Sequence, residues 1–300
     1  MIDLSPIRRL DTKADPGFVS AASGLVAAGR YLHVVADDGL SLISFDRQGP
    51  QSPGSLFRLL PGDLPFDAKQ RKAAKPDFES LTLLPATKHQ PHGALLALGS
   101  GSRPNRQRGV IVTLAEDGAP LAADAIDLSP IYSRLAADFG RLNRELNIEG
   151  AVALGDECLL FQRGNASEAQ GALIRCPLRE FLAAAPDADL TLVAFDLPRS
   201  NGVPLGVTDA AYHDGLIIFS AVAENAPNAY DDGPLAGAAV GAMTPKGEIL
   251  RVEETNPTAK IEGLSVQSAA AGDLDLLLVT DPDDPAVPAM LYAASFTPRP

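Results

Sequence analysis

The sequence predicts an all-β fold: a five-bladed propeller of four antiparallel strands per blade, with residues 1–300 forming a single domain. Three observations carry this reading. A small polar or acidic residue leading an apolar run recurs five times: Ala22-Ser23-Gly24-Leu25-Val26, Phe78-Glu79-Ser80-Leu81-Thr82, Ile148-Glu149-Gly150-Ala151-Val152, Val207-Thr208-Asp209-Ala210-Ala211 and Ile261-Glu262-Gly263-Leu264-Ser265. The second residues of these motifs lie 56, 70, 59 and 54 residues apart, which fits one four-stranded sheet and its turns. The fifth unit runs out of chain at its third strand, and residues 2–10 can supply the missing outer strand and close the ring.

Each unit repeats one order of events. After the first run comes a turn such as Ala28-Gly29-Arg30, Leu154-Gly155-Asp156 or Tyr212-His213-Asp214-Gly215. Second strands follow at 31–36, 95–98, 158–162, 216–220 and 276–280, and third strands at 40–45, 110–114, 172–176, 238–243 and 290–296. Turns such as Glu116-Asp117-Gly118 and Pro245-Lys246-Gly247 lead to fourth strands at 122–128, 190–197 and 249–253. Helix is scarce. The best segment is 130–144, with Ser129 as N-cap and Pro130 at the first helical position, and a shorter one spans 178–185. The absence of Trp disfavours a tryptophan-marked propeller of the WD40 type. A pair of β-sandwiches would not place a polar residue at the same point of every unit.

Composition narrows the function classes. Apolar residues make up 46% of the chain, enough for a sizeable core. The formal net charge of −13 argues against nucleic acid or an anionic membrane as the main partner, while leaving room for a local basic patch that binds a small anion. No run approaches the roughly 18 apolar residues of a membrane span, and the first residues carry no basic leader, so the expected location is the cytoplasm. Two cysteines are too few for a disulfide framework or a Cys-built zinc site. Cys158 and Cys176 flank one loop symmetrically and are expected as cross-strand neighbours, reduced in that compartment.

In a propeller the first strands line the central channel and start at one face. Ser23, Glu79, Glu149, Thr208 and Glu262 should therefore form a ring there. Three carboxylates so close repel unless they are protonated or bound to a cation. Carboxylate and hydroxyl oxygens without sulfur or imidazole describe a hard-cation site, Ca²⁺ first and Mg²⁺ second. A set of hydrogen-bonded polar plugs in a watered channel is the alternative.

The ring order Ser, Glu, Glu, Thr, Glu resembles the central calcium site of the calcium-activated nucleotidase (apyrase) propellers. Nearly the whole chain also resembles an uncharacterised bacterial propeller family related to the esterase-like phytase propellers. That resemblance is carried by Lys75-Pro76-Asp77-Phe78-Glu79-Ser80-Leu81, Gly99-Ser100-Gly101-Ser102-Arg103-Pro104-Asn105-Arg106, Asn147-Ile148-Glu149-Gly150 and Lys260-Ile261-Glu262-Gly263. The resemblances imply a polar central site acting on a phosphate ester or another ester.

The second-to-third strand loops should stand beside the ring. They carry Arg103, Asn105, Arg106 and Arg108 in the second unit and Arg163, Gly164 and Asn165 in the third. The fourth unit's loop holds Glu224, Asn225, Asn228, Asp231 and Asp232, and the fifth's is Asp281-Pro282-Asp283-Asp284-Pro285. Lys69, Arg71, Lys72 and Lys75 precede the second unit's first strand and should reach the same face. Arginine forks match carboxylate and phosphate, so Arg103, Asn105, Arg106, Arg108, Arg163 and Lys75 are candidate contacts for a small anionic molecule. A solvated surface loop is the plainer reading of the same residues. Gly99-Ser100-Gly101-Ser102 lacks the lysine-hydroxyl ending of a P-loop, and no Gly-x-Ser-x-Gly occurs. His33, His89, His92 and His213 fall on a second strand or in first-to-second strand turns, away from the ring, which disfavours a histidine base.

Two functions fit. The first is a Ca²⁺-dependent hydrolase of a small anionic ester, a phosphate ester among them, with Glu79, Glu149 or Glu262 as base. The second is a non-catalytic propeller that binds a ligand or partner and keeps the channel metal as a structural pin.

Overall fold

The computed structural model describes residues 1–49, 51–141, 145–164, 170–225, 233–270 and 272–299. Five antiparallel sheets follow one another along the chain. Blade 1 comprises Ala22–Ala28, Tyr31–Ala36, Ser41–Asp46 and Ser55–Arg58. Blade 2 comprises Phe78–Leu84, Ala94–Gly99, Arg108–Leu114 and Pro120–Asp127. Blade 3 comprises Ile148–Leu154, Glu157–Gln162, Gly171–Pro177 and Thr191–Phe195. Blade 4 comprises Gly206–His213, Leu216–Glu224, Leu235–Met243 and Ile249–Asn256. Blade 5 comprises Ile261–Ala270, Asp273–Thr280 and Met290–Phe296, completed by Ser5–Arg9 from the N-terminus. The inner strands touch in the order 1-2-3-4-5-1, which closes the ring.

The expected closing segment, residues 2–10, does two jobs. Ser5–Arg9 pairs antiparallel with the third strand of blade 5, while Ile2–Asp3 pairs in parallel with the outer strand of blade 4. Ile2 and Leu4 are buried in the apolar cluster between those two blades, and Leu4 donates its N–H to the Asn256 carbonyl at 2.7 Å. The chain is thereby stitched across the last interface.

Both faces of every blade are covered by neighbours, so the strands read as apolar runs rather than clean alternations. Five buried clusters result, one per blade interface: 1–2 around Leu42, Phe78 and Leu95, 2–3 around Leu96 and Leu160, 3–4 around Phe161 and Phe219, 4–5 around Val240 and Leu278, and 5–1 around Val34 and Val279. The helix Ser129–Gly140 adds Ile131, Tyr132, Leu135 and Phe139 to the 2–3 interface. The N-cap is Leu128 rather than the expected Ser129, which is itself the first helical residue; no side chain caps the helix, and Asp127 ahead of it accepts the Ser129 N–H at 2.9 Å. Residue 144, the expected helix end, lies outside the described residues. The second helix spans Leu178–Leu182. A third, Ala68–Ala74, has no counterpart in the sequence reading. Cys158 and Cys176 are strand partners with free, buried thiols, and burial pushes Cys176 up to about 11.

His33 ties blade 1 to blade 2. Its buried ring lies 2.9 Å from the Ser44 hydroxyl through Nδ1 and 3.0 Å from the Gly118 carbonyl through Nε2, in a turn of the next blade. Burial lowers its pKa to about 4. A depressed histidine contributes stability that is fully present above its unfolded pKa of about 6.5 and is lost as pH falls toward 4. Urea denaturation should therefore show the wild type losing about 2 kcal/mol more than His33→Gln between pH 7 and pH 5. Equal losses in the two proteins would contradict this role.

Candidate functional site

All five inner strands break register at the same point. Ladder partners skip one residue between Ala22 and Gly24, Phe78 and Ser80, Ile148 and Gly150, Val207 and Asp209, and Ile261 and Gly263. The skipped residues are Ser23, Glu79, Glu149, Thr208 and Glu262. A bulge leaves one residue unpaired and re-aims its side chain, and here it does so five times around one axis. The position after each bulge is small where strands approach closely: a Cβ on Gly263 would stand 3.1 Å from the backbone of Gly24 and Leu25 in the next blade. Blade 4 carries Asp209 there instead. Its buried carboxylate accepts the N–H groups of Ala210 and Leu264, each at 2.8 Å, and that of Leu25, joining the inner strands of blades 4, 5 and 1. Burial pushes its pKa well up.

A second tier lies above the bulges. The first residue beyond the second strand donates its N–H to the carbonyl two residues before the bulge: Asp37 to Ala21, Ser100 to Asp77, Arg163 to Asn147 and Asp281 to Lys260, at 3.0–3.1 Å. Blade 4 places the ladder pair Gly206 and Val222 there, and the missing side chain has a use. A Cβ on Gly206 would lie 2.7 Å from Arg163 Cγ, so glycine lets the arginine cross blade 4 and donate to Glu224 Oε2 at 2.8 Å.

The two tiers carry two groups of ion pairs around the mouth. On blades 3 to 5, Arg163 Nη1 donates to both oxygens of Glu149 at 3.1 Å and lies 3.9 Å from Glu262 Oε1. Asn147 adds a 2.5 Å bond to Glu149. Lys260 Nζ stands 3.7 Å from both Glu224 and Glu262 and pairs with Asp283. On blades 1 and 2, Lys75 Nζ pairs with Asp37 and, at 2.9 Å, with Asp77. Asp77 also accepts from Arg106 Nη1 at 2.6 Å and from the Ser100 hydroxyl at 2.5 Å. Asp37, Asp77 and Glu79 offer carboxylate oxygens within 4.8 Å of one another, an all-oxygen set that could hold a metal ion.

Acid outweighs base at the mouth. Among the described residues, eight carboxylates (Asp37, Asp77, Glu79, Glu149, Glu224, Glu262, Asp281, Asp283) face four cations (Lys75, Arg106, Arg163, Lys260). Glu149 and Glu262 are only 4% exposed. Burial, then the neighbouring charges of Asp77, Asp37 and Glu149, hold Glu79 well above the usual carboxylate range. Burial likewise raises Glu149 and Glu262 against the pull of Arg163 and Lys260, and it lifts Asp281 to about 7. For Lys75 and Lys260 burial works downward, but the surrounding carboxylates outweigh it and both ammoniums stay charged. The mouth is therefore a place where protons or a cation must complete the charge balance.

The remaining sequence candidates divide by position. Ser23 is buried and donates to the Ala21 carbonyl at 3.4 Å. Thr208 Oγ1 donates to the Ile261 carbonyl at 2.6 Å and lies 2.9 Å from Ser220 Oγ. Arg106 is buried against Asp77 and Ser102, and Asn105 donates to the carbonyls of Ala73 and Lys75. Arg103 is exposed on the same loop, while Arg108 opens the third strand of blade 2 opposite Asp127. Asn165, Asn228, Asp231 and Asp232 lie outside the described residues. Sequence reasoning reaches Glu224 and Asp281 only as loop residues, Asp77 and Lys260 only as neighbours of ring glutamates, and misses Asp37 and Asp209. The available signal was a polar residue two places before the bulge, in Lys75-x-Asp77-x-Glu79, Asn147-x-Glu149 and Lys260-x-Glu262.

Fold and site together define a five-bladed propeller with a buried, acid-rich ring at one end of its channel. Residues 18–296 match the model of a family of unknown function, DUF6929, and the chain belongs to that family. No curated protein matches the chain. Among solved structures it is similar to an α-L-arabinofuranosidase from Podospora anserina in complex with cellotriose (12% identity, 99% of this chain and 97% of that one, TM-score 0.50). It is also similar to a PQQ-bound aldose sugar dehydrogenase from Streptomyces coelicolor (12%, 99% and 99%, 0.48) and a GH43 endo-arabinanase from Bacillus licheniformis (13%, 95% and 96%, 0.46). Likeness at this level is one of fold. It does not single out the phytase or nucleotidase propellers.

Arg163 is the cation most deeply committed to the ring. Arg163→Met leaves Glu149, Glu224 and Glu262 without it and should cost about 3 kcal/mol at pH 7. Because the glutamates can take up protons, the cost should shrink at pH 5. Denaturant titrations at both pH values check this, and an equal cost at both would contradict an electrostatic role.

Proposed function

We propose that the channel mouth holds a hard divalent cation, Ca²⁺ in preference to Mg²⁺, and that this cation recruits a small anionic ester, a phosphate ester first, for hydrolysis. The observation that supports this is the excess of carboxylates over cations at the mouth, with buried Asp77 and half-buried Asp37 and Glu79 drawn together. The donor set suits the ion, since it is oxygen alone and offers several ligands within reach of one centre. A hard cation there would supply charge to polarise a phosphoryl or acyl oxygen. In this reading Ser23, Thr208 and the three ring glutamates complete the polar surroundings of the ion. Glu79, Glu149 and Glu262 are the candidates for holding a proton, because burial already favours their protonated forms. Arg103, Asn105, Arg106, Arg108, Arg163 and Lys75 are the candidate contacts for the anion.

One observation favours a second reading, a non-catalytic binding propeller. Arg106, Arg163 and Lys75 are each already seated on carboxylates, as charge-balancing residues would be. No described helix is long and apolar enough to cross a membrane.

Calcium titration and turnover separate these readings. A ligand bound only by the folded chain at about 100 times its dissociation constant adds about 2.7 kcal/mol, so the melting temperature should rise by about 5 °C. A panel of phosphate and carboxylic esters should show turnover that chelator removes and Ca²⁺ restores. A calcium-dependent melting shift with no turnover would leave the binding propeller, and no shift at all would remove the cation from the account.

A further inference from the structure

Residues 61–76 connect the outer strand of blade 1 to the inner strand of blade 2 and lie on the rim of the mouth. Their helix, Ala68–Ala74, buries none of its residues, and Phe66 just ahead of it is fully exposed. A segment with no apolar face in the core depends on its polar contacts. At the start of the segment Arg58 donates to the Gly62 carbonyl and, at 3.0 Å, to the exposed Asp63 carboxylate; towards its end Arg71 reaches the Asp38 carboxylate at 3.1 Å and carbonyl at 2.7 Å, Arg106 the Lys72 carbonyl at 3.0 Å, and Asn105 the Ala73 and Lys75 carbonyls at 3.2 and 2.9 Å. The last anchor is the Lys75 ammonium on Asp37 and Asp77, with Glu79 the third carboxylate of the same set.

An ammonium and a divalent ion cannot take the same carboxylate oxygens at once. We propose that Lys75 is a tethered competitor for the metal: a divalent cation entering Asp37, Asp77 and Glu79 displaces its ammonium and releases residues 61–76 from the rim. The inference rests on the cation reading of the mouth given above. The ends of the segment suit such a movement. Gly62 has a φ of +90°, and Asp77, buried between the segment and the inner strand, is held at +59°, a left-handed conformation uncommon outside glycine. Besides Lys75, the Arg71–Asp38 pair and the bonds from Arg106 and Asn105 to the segment's carbonyls would have to give way; the Arg71–Asp38 pair, about one third exposed on both sides, contributes little to holding the segment down.

Calcium chloride alone, titrated calorimetrically into the full chain, gives the first test. Lys75→Met should bind calcium about tenfold more tightly than wild type, the gain expected if the lysine-out state makes up about a tenth of the wild-type population. The second test needs no variant. Trypsin cleavage of the wild type at Lys69, Arg71 and Lys72 should quicken when calcium is added, while cleavage at Lys88, exposed in a blade 2 turn, stays constant. If wild type binds calcium but Lys75→Met binds no more tightly, or cleavage within the segment does not change, Lys75 is not a competitor although the cation reading stands. If neither protein binds calcium, that reading fails and this inference with it.

Discussion

Closing five sheets around one axis forces five inner strands together, and whatever their bulged residues carry must share a small volume. In this chain three of the five carry a glutamate, and aspartates from the flanking positions crowd the same end. Like charges at such range are tolerable only with opposite charge or protons between them. The rest of the mouth answers that constraint. Arg163 reaches across three blades because Gly206 clears its path, Lys260 spans Glu224 and Glu262, and Lys75 and Arg106 converge on Asp77. The cations still fall short of the acids, which is the physical opening for a metal ion.

The scaffold makes this concentration of charge affordable. Five apolar clusters, one at each interface, hold the blades together away from the channel. Buried polar ties add to this apolar packing. Asp209 gathers backbone donors from three inner strands, and His33 joins two neighbouring blades through a carbonyl in a turn. The N-terminal segment closes the ring by pairing with both of the last two blades, so the interface that joins chain start to chain end is stitched twice.

The blades and the ring positions were legible because one signal, a polar residue opening an apolar run, repeats with the period of a blade. It repeats because each inner strand is bulged at that residue. The second tier was not legible for a related reason: Asp37, Arg163 and Asp281 join it through the register of the second strand, which no spacing along the chain reveals. The helix Ala68–Ala74 escaped notice because it has no buried face, so there is no apolar period to read. The basic residues near the mouth could be placed by sequence, but their partners could not. Arg106 and Lys75 meet Asp77 only once the chain ahead of blade 2 folds back over the rim.

The central claim is that the surplus of carboxylates at the mouth is matched by a cation. Anomalous diffraction from crystals grown in calcium tests it directly. The account predicts one strong peak about 2.3–2.6 Å from oxygens of Asp37, Asp77 and Glu79. A fully ordered mouth with no peak there, its glutamates paired only with one another and with the protein's own cations, would contradict it.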